Sequence, residues 1–161
     1  AAPPTEEERK ARADDAARQA DDEKKQKEQA RKDKALLDTY TTENEIDLAR
    51  ERNLQAVEAT IQSVDVRLKA ARDRNSQFAR QADGLAKQGK PLPDGLKDDV
   101  AESQKEVERL QQESEIKTRE RDAIRARYDA DKKRYRELKA RSDSFQQEMS
   151  GQKPATGASK K

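Results

Sequence analysis

Gly89-Lys90-Pro91-Leu92-Pro93-Asp94-Gly95 interrupts a long run of otherwise helix-compatible sequence. Gly89 can take the left-handed conformation that closes a helix, Pro91 and Pro93 cannot continue one, and Asp94 offers a side-chain oxygen to cap the next. The stretch therefore predicts a turn at 89–95, with Gly95 just inside the second helix. Everything on either side hangs on that turn, because it folds the chain back on itself.

Before the turn, Leu54, Val57, Ile61, Val64, Leu68, Ala71, Asn75, Phe78, Ala82 and Leu85 recur at alternating steps of three and four. After it, the same alternation threads Leu96, Val100, Ser103, Val107, Leu110, Ser114, Lys117, Arg121, Ile124, Tyr128, Asp131, Tyr135, Leu138, Ser142, Phe145 and Met149. That spacing is a heptad seam, one apolar stripe per helix. Folding about the turn sets Leu85 against Leu96, Phe78 against Ser103, Ala71 against Leu110 and Arg50 against Asp131, so that large residues face small ones. In the flanking positions Arg74 comes toward Glu106, Arg67 toward Glu113, Glu58 toward Arg125 and Glu51 toward Lys132, each an opposite-charge pair. Asn75, polar on the stripe, reads as a residue that fixes register. Lys117 and Arg121 can lay aliphatic stems over Ile61, Val64 and Leu68 while their charges reach water.

Upstream, Thr39-Tyr40-Thr41-Thr42 predicts a break, and Thr42 with Glu45 a capping box that starts the first seam helix. Ile46 is placed to pack back toward Tyr40 or Thr41. Residues 6–38 carry ten acidic and ten basic side chains between Glu6 and Lys34 and no large apolar residue before Leu36. Thr5 and Glu8 form another capping box. Acid-before-base pairs such as Glu6 with Lys10, Asp14 with Arg18 and Asp21 with Lys25 each favour helix by about 0.3 kcal/mol. This segment reads as a solvated helical spacer, the alternative being a disordered polyampholyte. Residues 1–5 read as a flexible leader and 150–161 as a disordered tail. The expected architecture is all-α: a long antiparallel two-helix coiled-coil hairpin over 43–149, preceded by a charged N-terminal helix.

Composition narrows function chiefly by exclusion. With 30% hydrophobic and 3% aromatic residues the chain cannot fill a compact core, so an enclosed catalytic pocket is not expected. It has neither histidine nor cysteine, which removes the commonest general base, metal ligand and thiol nucleophile. No enzyme activity, cofactor or metal is predicted. The formal net charge is +2, too small to draw the chain to nucleic acid. One local asymmetry stands out in residues 125–141, where eight basic side chains, Lys132, Lys133, Arg134 and Arg136 among them, face three acidic ones. These four could contact an anionic polymer or membrane surface. However, Glu51 and Glu58 are placed to neutralise Lys132 and Arg125, and replacing Lys133, Arg134 and Arg136 by glutamine is expected to leave folding and the main function nearly unchanged. Small residues at the start, Ala1-Ala2-Pro3-Pro4, suit a mature exported protein whose signal peptide is gone, and a trimmed fragment would read the same way. No apolar run approaches the length of a transmembrane helix.

The run from Ala35-Leu36-Leu37-Asp38-Thr39-Tyr40 through Arg50-Glu51-Arg52-Asn53-Leu54 resembles the opening of uncharacterised exported coiled-coil proteins of proteobacteria. Lys87-Gln88-Gly89-Lys90-Pro91-Leu92-Pro93 is similar to their turn, and Arg121-Asp122-Ala123-Ile124-Arg125-Ala126-Arg127-Tyr128 to their returning helix. The resemblance implies a periplasmic location, with a cytoplasmic one as the alternative, and implies no activity. The charged segment also resembles in texture the helical spacer of TolA-type envelope proteins. The function expected is a structural or protein-binding module, a spacer or adaptor for another envelope protein, itself associating as a dimer of hairpins. A holdase-type chaperone is the rival expectation.

Overall fold

A computed structural model of the chain describes residues 1–151 and contains three helices and, among these residues, no strand: α1 (Glu6–Thr39), α2 (Glu43–Lys87) and α3 (Asp94–Gly151). The tail expected over 150–161 lies outside the described residues except for Ser150 and Gly151, which belong to the last turn of α3. No helix among the described residues is long and apolar enough to cross a membrane.

α1 begins where its sequence says it should. Thr5 accepts from the Glu8 amide at 3.2 Å and the Glu8 carboxylate accepts from the Thr5 amide at 2.9 Å, the reciprocal pair of a capping box, with three glutamates in the first turn suited to the positive end of the helix dipole. No residue of the helix is buried. From Glu6 to Lys32 every residue is exposed, so stability there is local, from backbone bonds and side-chain pairs such as Asp21 with Lys25 at 3.0 Å.

The break at Tyr40-Thr41-Thr42 departs from the expected capping box in one bond. Thr42 accepts from the Glu45 amide at 3.3 Å, but the Glu45 carboxylate turns to Thr41 instead of Thr42, accepting from its amide at 2.9 Å and its hydroxyl at 2.6 Å. Two donors on one residue outbid the single amide of Thr42. Those two bonds, the hydroxyl's first, hold the Glu45 carboxyl below its ordinary pKa.

α2 closes on Gly89, which has φ 66°. The Lys90 amide donates to the Leu85 carbonyl at 3.0 Å and the Gly89 amide to the Ala86 carbonyl at 3.0 Å, the two bonds of a Schellman closure. The restart differs from expectation. Asp94 is already the first helical residue, and the Pro93 carbonyl receives the Leu96 and Lys97 amides at 3.1 Å. Proline has no amide to leave unsatisfied there, and Asp94 sits in the first turn where its negative charge suits the dipole.

The described chain divides into two compact units. In the unit Asp47–Asp129, α2 and α3 pack closely around Leu68, Ala71, Val107 and Leu110. Val64 and Leu110 are 0% and 1% exposed, and Leu54 and Tyr128 are also buried. Ser103 is buried too, and the other stripe positions of this unit, Val57, Ile61, Phe78, Leu85, Leu96, Val100 and Ile124 among them, are half-buried. Pairs across the two helices run in opposite orders: Asn53 with Tyr128, Glu58 with Arg125, Asp65 with Ser114, Arg67 with Glu113 and Asn75 with Ser103. The other unit combines Ala1–Ile46 with α3 from Ala130 on, and its buried side chains are Ile46 and Tyr135.

These contacts set expectations for stability. Replacing Gly89 by Ala should cost about 1 kcal/mol in urea unfolding, since a Cβ disfavours positive φ. By contrast, Gly84→Ala, within α2 and facing open space, should gain about 0.5–1 kcal/mol from helix propensity. Leu110→Ala should lose about 2–5 kcal/mol, whereas Ile116→Ala, on an exposed face, should stay within about 0.5 kcal/mol of wild type.

Candidate functional site

The residues singled out for chemistry or binding fall into three places. The turn residues Gly89, Pro91, Pro93 and Gly95 are exposed and shape the α2–α3 connection. In the unit Asp47–Asp129 the stripe residues of α2 and α3 pack together, and two polar pairs join the helices there. The Asn75 amide donates to the Ser103 hydroxyl at 2.9 Å, and that hydroxyl donates to the Val100 carbonyl at 3.0 Å. The Asn53 amide donates to the Tyr128 phenol oxygen. A one-heptad slip would strand these groups, so they penalise other registers.

The flanking ion pairs agree with expectation in part. Arg67 meets Glu113 at 3.3 Å and Arg125 meets Glu58 at 3.2 Å. Glu106, expected to take Arg74, instead holds Arg109 one turn along its own helix at 2.6 Å, and this bond first of all lowers its pKa, with Arg67 and Arg74 adding weaker attraction. A pair within one helix needs less ordering of long side chains than one across helices. Arg50, expected opposite Asp131, reaches out of the stripe to Asp129 at 3.2 Å, where both charges keep contact with water.

The basic stretch at 125–141 is where structure changes the sequence expectation most. Arg134 forks onto Asp33 of α1, Nε to Oδ1 at 2.9 Å and a terminal nitrogen to Oδ2 at 2.7 Å, while its other terminal nitrogen reaches Glu137 at 3.1 Å. Gln29 adds a third bond to Asp33 at 2.8 Å. Arg136 donates to Glu43, the first residue of α2, at 2.6 Å. The ring of Tyr135 is buried between these arginines in sequence, with the Lys139 ammonium 5.7 Å from its centroid, and Arg127 lies 5.0 Å from the Tyr128 ring. Two of the four residues expected to meet an anionic partner, Arg134 and Arg136, are thus occupied within the chain, and Lys132 also has a partner. Lys133 is exposed. Arg134 and Arg136 thus bond to the end of α1 and the start of α2.

Asp33 and Leu36 of α1 and Tyr40, the extended residue that caps its end, form an anchor, spaced three and four apart and half-buried beside Ala130, Asp131 and Arg134. The same three-and-four spacing was present in the sequence, but a carboxylate at its head concealed it as an apolar signal.

Comparison with protein-family models, curated proteins and solved structures finds no match to this chain.

The bidentate bond from Arg134, helped by Gln29, lowers the Asp33 pKa to about 2. An Asp in an unfolded chain titrates near ~3.9. The folded value is depressed, so the Asp33 contribution is full above about pH 4, declines as pH falls toward 2 and is lost below it. Carboxyl NMR should give an Asp33 midpoint near 2 in wild type that returns to the ordinary Asp range in Arg134→Gln. Lys133→Gln should leave it unmoved.

Proposed function

We propose that this chain is a non-enzymatic structural or protein-interaction module of the bacterial envelope, a coiled-coil spacer or adaptor. In this reading α2 and α3 form an antiparallel two-helix coiled-coil hairpin, preceded by α1 as a charged spacer, in a periplasmic or otherwise exported protein. The observation that carries it is the distribution of burial: buried side chains lie along one stripe of α2 and α3, and α1, 34 residues long, buries none. Such helices offer long exposed faces to another protein. What supports a non-catalytic role is the absence of histidine and cysteine from the sequence. The thin stripe favours lateral pairing of two hairpins in a four-helix bundle.

Two measurements test this reading. Cysteines introduced by R74C and E106C, side chains that border one groove, should join within a single chain under mild oxidation. Exclusively intermolecular crosslinks at low concentration would replace the hairpin by paired straight helices. Pull-down from envelope extract should recover one stoichiometric partner whose binding tolerates salt. Many unrelated unfolded clients would support the holdase instead, and submicromolar, salt-sensitive binding to DNA or anionic vesicles would support an anionic partner.

A further inference from the structure

Beyond Arg136, where Glu43 makes its ion pair, α3 continues to Gly151, and every residue from Lys139 to Gly151 is exposed. The heptad stripe does not stop with burial: Leu138, Ser142, Phe145 and Met149 keep the steps of four, three and four, with Phe145 63% and Met149 56% exposed. Continued along the same register, the residues opposite them would be the break at 40–42 and α1, whose last large apolar residues are Leu36 and Leu37.

We propose that these last turns of α3 pair with the same turns of a second copy of the chain, antiparallel about a two-fold axis. The occupant follows from self-complementarity. Laid antiparallel so that Met149 faces Leu138 of the second copy, the stripe sets Phe145 against Ser142, large against small, and symmetry repeats both contacts. The flanking positions then bring Arg141 to Glu148 of the second copy and Glu148 to Arg141, with Lys139 beside the neutral Gln146. A slip of one heptad in either direction destroys the match, because it sets Arg141 against Arg141 or Glu148 against Glu148. A parallel arrangement would face Ser142 with Ser142 and bring Arg134 toward Lys139. One register is therefore favoured by packing and by charge, and its neighbours are disfavoured by charge. The interface is small beside the ~1,600 Å² of a standard specific one, so the dimer is weak, with a dissociation constant of roughly 10–100 μM.

Sedimentation equilibrium of the full chain across that range tests the pairing. R141E and E148R each place like charges together twice and should weaken the dimer about tenfold or more, with helix content by circular dichroism unchanged because both side chains are exposed. Mixing the two variants restores opposite charges at both positions and should recover dimerisation to within about threefold of wild type. A wild-type chain that stays monomeric overturns the proposal, as does a mixture no tighter than either variant alone. A dimer equally strong in wild type and both variants also overturns it, and leaves the lateral four-helix bundle as the mode of association.

Discussion

Because most of its large apolar residues fall on one stripe, α2 can remove them from water only by lying along another helix, and the same holds for α3. Val64, Leu68, Ala71, Val107 and Leu110 are buried only because the two stripes meet. Among the described residues no second layer covers this stripe, so polar groups on it are as consequential as apolar ones. Asn75 and Ser103 satisfy each other at 2.9 Å, which makes their burial tolerable at one alignment and costly at others. Apolar area supplies the energy of the packing, and a few hydrogen bonds choose its register.

Charge has a different role in the other unit. Arg134, Asp33 and Gln29 form a small network in which one carboxylate accepts three bonds, and a planar guanidinium suits that geometry better than an ammonium would. Leu36 and Tyr40 supply the apolar contact beside it. The attachment is specific without being extensive, and it ends where α1 turns polar all round.

Periodicity made much of this legible in the sequence. A strict alternation of threes and fours located the stripe, and from Leu54 to Leu138 each of its positions is buried or half-buried. Glycine and proline located the turn, because positive φ and a missing amide leave few alternatives. Charge was far less readable. With 36 basic and 34 acidic side chains, almost any pairing can be drawn, and distance alone decides among them. Arg67 with Glu113 was found that way, but Glu106 chose Arg109, and Asp33 with Arg134 bridges residues so far apart in sequence that no local pattern joins them. Phe145 and Met149 show the converse limit: a periodic stripe states which face is apolar and not whether the same chain covers it.

A helix without buried side chains has a mechanical consequence. Under tension, the packed parts of α2 and α3 in the unit Asp47–Asp129 cannot lengthen without parting buried side chains, but α1 is held over most of its length by its own backbone bonds. Pulling it from a rise of about 1.5 Å per residue toward an extended chain of about 3.4 Å more than doubles its reach at little energetic cost per turn. It would yield first and recoil when released, a softness that comes from the same absence of large apolar residues that leaves it solvated.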